Sequence, residues 1–416
     1  MNRFFCPSYL AAILSLLVMA ACTPAGKQLM GDPQFPYPLQ APPKVGEIVH
    51  LPTGITVTFA QMAAVAGDAR VVYVGENHDN PASHRLELQL LQELARLHPE
   101  RQALGMEMFA RSQQPVLDRW VAGELDEKTF LKKSHWYDNW RMDFAYYRDL
   151  LIFARDRHIP IIALNAEKSL VTAVRDKALD QLSDKEKAGL PELDFTDPYQ
   201  RAMVKGVFGD HIHGEMMIDG FVRAQTLWDE IMAESVARYL ASPAGKEKHL
   251  LVVAGGYHVE YGFGIPRRTF RRLPDSYILI GGREIDIPAD KQSEMMNINL
   301  PEFPMVPYDF LVYQAYESLP EAGMRLGVMI EPAQNGRGLL VKSVVPGSNA
   351  EHAGLKEGDL LLSLDGEALT DNMDLIYAVQ QKHAGNHGTI LLERGGRKLK
   401  MEVIFQTAGS DLLHKK

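Results

Sequence analysis

The chain has 416 residues, more than a single hydrophobic core usually organises, so two domains are expected. Its 46% hydrophobic and 23% charged residues are typical of a globular protein. The formal net charge of −9 argues against a nucleic-acid partner, because a phosphate-binding surface needs a basic excess. The short basic cluster at residues 267–272 does not provide that excess.

Residues 1–21 are predicted to be a lipoprotein signal peptide. Residues 10–19 form an apolar stretch of signal-peptide length. They lead into Ala20-Ala21-Cys22, and small residues before a cysteine resemble a lipobox, in which the cysteine is lipidated. The alternative is an ordinary secretory signal. Because Thr23 follows rather than aspartate, bacterial sorting habits favour a lipid-anchored protein of the outer membrane that faces the periplasm.

The cysteine content limits the chemistry of any metal site. Cys6 lies in the signal peptide and Cys22 would carry the lipid, so the mature chain has no thiol for a disulfide or a metal ion. Metal ligands must then be His, Asp, Glu, Met or Tyr. No other stretch approaches 18 apolar residues, so no further membrane segment is expected, and the proline-rich residues 22–44 are predicted to be a tether.

From residue 45 to residue 318, strand-like and helix-like segments alternate, which indicates an α/β domain with a mostly parallel sheet flanked by helices. The predicted strands are residues 71–75, 103–106, 159–164, 250–254, 276–280 and 310–314. Predicted helices are residues 84–97, starting near Pro81, and residues 144–157. Residues 167–241 contain no strand-like run and are predicted to form a helical insertion, with its longest helix at 214–240.

Residues 323–407 show a different pattern, with short strands, many glycines, a helix at 373–381 and a C-terminal hairpin. The run Gly-Leu-Lys-Glu-Gly-Asp at 354–359, followed by Asp365-Gly366, resembles the small β-barrel-like PDZ domain of bacterial periplasmic proteins. That resemblance implies capture of a C-terminal peptide or an envelope protein by strand addition. Intramolecular packing and homodimer formation are the alternatives.

The PDZ resemblance also implies a peptide-binding site. Backbone amides of residues 326–328 would hold the terminal carboxylate of the peptide, and Gly327 would allow its close approach. We therefore expect Gly327→Val to block binding without unfolding the domain. The residues implied are Leu326, Gly327, Val328, Met373 and Ile376.

Acidic and histidine residues follow three of the predicted strands. Glu76 and His78 come after the first strand, Glu107 after the second, and His258 after residues 250–254. Ligands of open α/β sheets bind beyond the carboxyl ends of the strands. We therefore expect these four side chains to converge in one cleft.

The same segments resemble the ChaN-like haem-binding lipoprotein family, which belongs to a superfamily with the TraB, Tiki and erythromycin-esterase-like proteins. The motifs are Gly-Glu-Asn-His at 75–78, Met-Glu-Met-Phe at 106–109, Ala-Gly-Gly-Tyr-His at 254–258 and the helical segment 223–229. One branch of the superfamily is regarded as metal-dependent hydrolases. In that case Glu76, His78, Glu107 and His258 would be the metal-binding and catalytic residues.

The other activity that the resemblance implies is non-covalent haem binding, linked to uptake or storage of iron. Haem iron accepts His, Met or Tyr as an axial ligand. The candidates are His211, His213, Met216, Met217 and Tyr257. Each acid or histidine can also have a purely structural role, and a third possibility is an envelope adaptor whose PDZ domain carries the function.

Overall fold

The computed structural model describes residues 31–39, 41–208, 215–292, 298, 300–319, 324–333 and 336–406. Its larger sheet has the strand order β2-β1-β8-β7-β3-β6-β4-β5. The strands are β1 (Ile48–His50), β2 (Ile55–Val57), β3 (Val71–Glu76), β4 (Gln102–Ala110), β5 (Ile161–Asn165), β6 (His249–Gly255), β7 (Tyr277–Asp286) and β8 (Phe310–Ala315). The six predicted strands are all present in this sheet.

Six of the eight strands, from β8 to β5 in that order, pair in parallel, and β1 pairs antiparallel with β2 and β8. The predicted α/β architecture with a mostly parallel sheet is therefore confirmed. β3 and β6 lie at the centre and are buried over nearly their whole length, as apolar strands covered on both faces must be. The hairpin β1–β2 was not predicted, because three-residue strands are too short to show an alternating pattern.

Helices cover both faces of this sheet. They are α1 (Phe59–Gly67), α2 (Pro81–Leu97), α3 (Gln114–Val121), α4 (Glu127–Lys133), α5 (Trp136–Asn139), α6 (Arg148–Asp156), α7 (Lys168–Asp176), α8 (Asp184–Ala188), α9 (Pro198–Phe208), α10 (Glu215–Ala241), α11 (Gly256–Val259), α12 (Ile265–Arg272) and α13 (Ala289–Gln292). Short 3₁₀ segments lie at Arg111–Gln113, Phe144–Tyr146, Leu179–Gln181 and Glu260–Gly262. None of the helices in the described part of the chain combines the length and apolar character needed to cross a bilayer.

Helix α2 begins as its sequence predicts. The Asn80 side chain accepts a hydrogen bond from the Ala82 amide at 2.9 Å, and Pro81 occupies the first turn. The leucines of α2 then pack with α3, α4 and α6 in a core on one face of the sheet. On the other face, α10 and α12 pack against β3 and β6. The strand ends that carry the predicted site therefore lie between two helical layers.

The described residues between 167 and 241 form four α-helices and no strand, as predicted. The basic cluster at 267–272 has a structural role in this region. Arg268 on α12 is fully buried, and its Nε lies 3.2 Å from Oε1 of Glu230 on α10. Arg271 and Arg272 also pair with Glu230, so the cluster fixes α12 against α10.

The C-terminal domain is a separate antiparallel sheet with its own hydrophobic core. Its elements are β9 (Val328–Pro332), β10 (Leu339–Val344), α14 (Asn349–His352), β11 (Leu360–Leu364), β12 (Glu367–Ala368), α15 (Asn372–Gln380), β13 (His387–Arg394) and β14 (Arg397–Ile404). β9 is an edge strand in the order β14-β13-β11-β10-β9. The available edge next to α15 is the geometry that strand addition requires.

Helix α15 packs against the α/β domain. Met373 and Tyr377 contact the core beside α4 and α5. The Asp374 carboxylate, which is 4% exposed, pairs with Lys128 at 3.1 Å and with Lys132 at 3.2 Å. These contacts combine apolar burial with a largely buried ion pair, so they fix the position of the C-terminal domain.

Candidate functional site

A cavity of about 800 Å³ opens at the carboxyl edge of the central strands. Its polar wall includes Glu76, His78, Glu107, His258, Glu260 and Arg283. Its apolar wall includes Trp140, Met142, Met203, Val204, Val207, Trp228, Tyr257 and Leu311. This volume is within the usual range for a small-molecule site, roughly 300–1,000 Å³. The four strand-end residues that the sequence predicted to converge lie together on its wall.

Glu76 ends β3 and forms the first half of the polar wall together with His78. The Glu76 side chain is almost fully buried, and its Oε1 accepts hydrogen bonds from the Tyr147 hydroxyl and from His78 Nδ1, each at 2.6 Å. Burial, aided by the nearby Glu87, raises the pKa of Glu76 to about 7. Burial alone would lower the pKa of His78, but the Glu76 carboxylate outweighs it and raises that pKa. The pair therefore shares a proton near neutral pH.

Two further residues that the sequence analysis missed lie behind Glu76. His84 and Glu87 are on α2, and both side chains are buried. His84 Nδ1 is 3.2 Å from Oε2 of Glu87 and 3.8 Å from Oε2 of Glu76. Burial raises the pKa of Glu87 to about 8 and lowers the pKa of His84. Among the described residues, the group with metal-ligand spacing is Glu76, His84 and Glu87, which shares only Glu76 with the predicted metal set.

The second half of the polar wall is organised around Glu107 and His258. Oε2 of Glu107 accepts a hydrogen bond from the Gly255 amide at 2.7 Å, and its Oε1 lies 3.4 Å from His258 Nε2. His258 Nδ1 lies 2.6 Å from Oδ1 of Asp229, a fully buried residue of α10. His258 is therefore held between two carboxylates.

These contacts set the charges of the second half. Burial by itself would lower the pKa of His258, but Glu107 and Asp229 outweigh it and raise that pKa to about 10. Burial would raise the pKa of Glu107, but the charges of His258 and His78 and the Gly255 amide hold it at about 2. Glu107 is therefore ionised and His258 protonated at neutral pH. Sequence analysis did not identify Asp229 as a site residue, although Asp229 lies in the segment 223–229 that carries part of the family resemblance.

Gly255, at the end of β6, allows the two halves to meet. A Cβ atom at this position would lie 2.9 Å from the ring atoms Cε1 and Nε2 of His78, and 3.6 Å from Oε2 of Glu107. Any side chain here would displace the His78 ring. The glycine that follows this strand in the sequence is therefore required by side-chain packing rather than by backbone conformation.

The predicted haem-ligand candidates have different positions. Tyr257 lines the cavity, and burial raises its pKa to about 12. Met217 is 54% exposed and is not part of the cavity wall. His211 and His213 lie outside the described residues, as does the side chain of Met216.

A second groove lies between β9 and α15 of the C-terminal domain. Of the predicted peptide-binding residues, Leu326, Gly327, Val328 and Ile376 line it. Met373 does not, because it is on the opposite face of α15, one helical turn from Tyr377, where both pack against the α/β domain. Two residues of the α/β domain, Tyr137 and Asp143, also line the groove, and the Tyr137 hydroxyl donates to Oε1 of Gln380 at 2.9 Å.

The expectation that Gly327→Val would leave the domain intact is wrong. Gly327 has a φ of +83°, and a Cβ atom there would overlap the Ser348 side chain. Ser348 belongs to the loop whose Val345 amide donates to the Gly327 carbonyl at 2.9 Å. The glycine is needed to pack this loop, so the substitution would disturb the folded domain as well as any bound peptide.

The fold and the cavity define an α/β domain with a ligand site at the strand ends, followed by a small β domain. The chain belongs to the family described as haem-binding uptake, Tiki superfamily, ChaN, whose model matches residues 62–269. A PDZ-domain model matches residues 340–394, within the C-terminal domain. The family resemblance and the PDZ resemblance predicted from the sequence are both confirmed.

A solved structure of ChaN from Campylobacter jejuni, described as showing cofacial haem binding, has a TM-score of 0.51 and 17% sequence identity to this chain. The match covers 68% of this chain and 100% of the other, and at this identity it shows the fold alone. Among curated proteins, the periplasmic serine endoprotease DegQ of Escherichia coli is 35% identical over 74 residues, 18% of this chain and 16% of DegQ. A probable periplasmic DegP-like serine endoprotease of Marinomonas is 30% identical over 96 residues, which is 21% of this chain and 20% of the length of that protease. The chain thus spans a fifth or less of the length of these two relatives.

Proposed function

We propose that the α/β domain binds haem non-covalently in the strand-end cavity. The observation that carries the proposal is the composition of the cavity, which combines apolar walls with an imidazole, a phenol and a guanidinium in about 800 Å³. These groups fit haem, which needs apolar contact for the macrocycle, an axial ligand for the iron and a partner for its carboxylates. When bound, haem supplies an iron centre that the protein orients.

Tyr257 is the side chain proposed to ligate the iron, and His78 is the second candidate on the wall. Of the five candidates from the sequence, Tyr257 is the one whose side chain is described in the cavity. The guanidinium of Arg283, which lies 5.0 Å from the Phe35 ring centroid, would pair with a haem carboxylate. Because burial keeps the Tyr257 phenol protonated, ligation must release a proton, and haem affinity should rise with pH.

Haem titration of the purified full chain tests this proposal. The wild type should give a shifted Soret band at one haem per chain, Tyr257→Phe should weaken binding about tenfold or more, and the exposed control Tyr37→Phe should not change it. If the wild type gives no shifted band, the proposal fails. If His78→Ala rather than Tyr257→Phe removes the band, the cavity assignment stands and the ligand assignment is wrong.

The same proposal places the chain in the bacterial envelope as a lipoprotein that takes up or stores haem iron. The signal-peptide pattern that ends at Cys22 supports the lipid anchor, and Thr23 supports the outer membrane. Metabolic labelling with a fatty acid should modify the wild type and not Cys22→Ala. Membrane fractionation of the same pair then tests the location.

We propose that the PDZ domain recruits the free C-terminus of an envelope protein to this chain. Support comes from the edge strand β9, the apolar side chains of Leu375 and Ile376 beside it, and the loop that ends in Gly327. Calorimetry with one apolar-ending peptide, as carboxylate and as amide, tests the proposal. Equal affinity for both forms would show that the terminal carboxylate is not recognised.

A second candidate function is a metal-dependent hydrolase. The observation in its favour is the chain of contacts from Glu107 through His258 to Asp229, since a histidine oriented by a carboxylate is a common catalytic arrangement. Hydrolysis of peptides or esters by the metal-loaded chain, abolished by Glu107→Gln, would support this function over haem binding.

If neither haem nor hydrolysis is found while the PDZ domain binds peptides, the chain is an envelope adaptor.

A further inference from the structure

A buried cluster of side chains that can ligate a metal extends inward from the cavity wall, and two of its three members have no role in the proposed haem site. It consists of Glu76, His84 and Glu87, which are 2%, 5% and 0% exposed. One ligand atom from each residue lies within 4.8 Å of the others. Glu76 also lines the cavity, whereas His84 and Glu87 do not, so the cluster lies behind the wall rather than in the space offered to haem.

Two carboxylate oxygens of this cluster lack a partner. Oε2 of Glu76 and Oε1 of Glu87 are buried, and neither makes a hydrogen bond to any described residue. An unpaired buried carboxylate oxygen is costly, and two such residues in contact add mutual repulsion. These two oxygens therefore point to a positively charged occupant.

The orientation of His84 indicates the same occupant. Its Nε2 lies 3.1 Å from the carbonyl oxygen of His78, which only accepts hydrogen bonds, so Nε2 carries a hydrogen. In the neutral ring the lone pair is then on Nδ1, which faces Oε2 of Glu87 at 3.2 Å and Oε2 of Glu76 at 3.8 Å. Without a proton or a cation between them, three acceptor groups would therefore face one another. A ring nitrogen that donates to a backbone carbonyl while the other faces carboxylates is also the usual arrangement of a metal-bound histidine.

We propose that Glu76, His84 and Glu87 bind a divalent transition-metal ion. One imidazole and two carboxylates form a mixed nitrogen and oxygen ligand set without thiolate, which suits Mn²⁺, Fe²⁺ or Zn²⁺. The two positive charges of the ion would neutralise the two carboxylates. The proposal does not depend on haem binding. The site shares only Glu76 with the metal set predicted from the sequence, and in that set both ring nitrogens of His258 face carboxylates.

The ion would also orient the cavity. The same Glu76 carboxylate that offers Oε2 to the cluster holds His78 Nδ1 and the Tyr147 hydroxyl through Oε1. An ion on Oε2 keeps Glu76 ionised and therefore keeps it an acceptor for both donors. Loss of the ion should loosen the His78 ring on the cavity wall.

Elemental analysis of the full chain, prepared without haem, tests the proposal. Protein treated with a chelator is reloaded with Mn²⁺ or Zn²⁺ and desalted, and Co²⁺ is used as an optical probe. The wild type should retain one ion per chain, and Glu87→Gln, which keeps the side-chain size, should weaken binding at least about tenfold. The matched control Glu93→Gln, whose carboxylate pairs with Arg96 on the same helix outside the cluster, should retain the ion, and so should Glu107→Gln.

Thermal unfolding with and without chelator keeps the test decisive if a variant folds poorly. The bound ion stabilises the folded state by mass action, so chelation should lower the Tm of the wild type and leave that of Glu87→Gln unchanged. A wild type that retains no ion and whose Tm ignores the chelator would overturn the proposal, and a shared proton would then occupy the cluster. If Glu107→Gln loses the ion and Glu87→Gln retains it, the proposed site is wrong, and the result favours the metal set predicted from the sequence. Neither outcome decides whether the chain binds haem.

Discussion

Glu76 and Glu107 end or approach the ends of β3 and β4, which flank β6, and both carboxyl groups are buried. Their pKa values are nevertheless shifted in opposite directions. Glu107 faces the His258 cation and the Gly255 amide, which hold its pKa at about 2. Glu76 faces the carboxyl group of Glu87, and burial raises its pKa to about 7.

The difference between these two halves shows that burial does not by itself decide the charge of a strand-end acid. Burial disfavours ionisation in both halves, and the sign of the neighbouring charge decides which form persists. In one half the acids are therefore paired with a cation, and the other half is a set of acceptors that needs a proton or a cation. Three predictions test this contrast, each made for chelator-treated protein.

The largest difference is expected between two identical substitutions. Glu107→Gln leaves the buried His258 cation with one carboxylate fewer, and should lower the free energy of unfolding by about 3 kcal/mol at pH 7. Glu76→Gln removes a carboxyl group that is partly protonated already, and should change it by about 1 kcal/mol or less. Urea unfolding of both variants measures the contrast. Equal losses would show that the two acids have the same environment.

The two halves should also differ in their response to pH. Glu76 and Glu87 have raised pKa values of about 7 and about 8 against an ordinary value of 4.5, so the folded state keeps protons that the unfolded chain has released. Stability should therefore fall as the pH rises from about 5 through 8. The pKa of Glu107 is depressed, so its contribution is present above pH 4.5 and is lost as the pH falls toward 2.

Between about pH 5 and 6.5 the carboxyl pair is measured by the difference in slope between the wild type and Glu87→Gln, because other groups titrate there too. Burial raises the pKa of Glu260 to about 7 and lowers the pKa of His84, and above 6.5 His258 begins to lose its own contribution. Glu87→Gln should reduce the downward slope in this window by up to about 1 kcal/mol per pH unit. The loss of stability below pH 4.5, which comes from Glu107, should persist in this variant. A variant with the wild-type slope would contradict the shared-proton interpretation of the metal-free cluster.

The smallest effect is expected from the hydroxyl that supports Glu76. Tyr147→Phe removes the donor 2.6 Å from Oε1 of Glu76 and should cost about 1 kcal/mol. In a double-mutant cycle with Glu76→Gln, part of that cost should appear as coupling energy. Tyr137→Phe, which removes a hydrogen bond outside the site, serves as the control and should be additive with Glu76→Gln. Additivity in both cycles would mean that Tyr147 does not support the carboxylate.

The sequence was sufficient for the six parallel strands of the larger sheet and for the residues at their carboxyl ends. Glu76, His78 and His258 could be placed together because parallel strands end at one edge of a sheet, wherever they occur in the chain. The remaining partners come from helical segments that pack onto that edge, such as Asp229 on α10 and Tyr147 immediately before α6. Their positions depend on how each helix is rotated against the sheet, which local patterns do not specify.

Met373 illustrates the same limit in the C-terminal domain. Helix α15 is covered on two faces, so apolar residues occur on both, and periodicity does not tell which face lines the groove. Gly327 illustrates another limit, because the neighbour that requires it, Ser348, is brought to it by the tertiary fold.

The attachment of α15 to both the groove and the α/β core fixes the separation between the two binding regions. In a protein whose domains are joined by a free linker, the second contact of a bivalent partner depends on linker length. Here the contacts of Met373, Asp374 and Tyr377 replace that linker by a constant offset. A partner that engages both regions gains effective concentration only if its own two elements match this offset, so selectivity for such a partner would depend on spacing as well as on sequence.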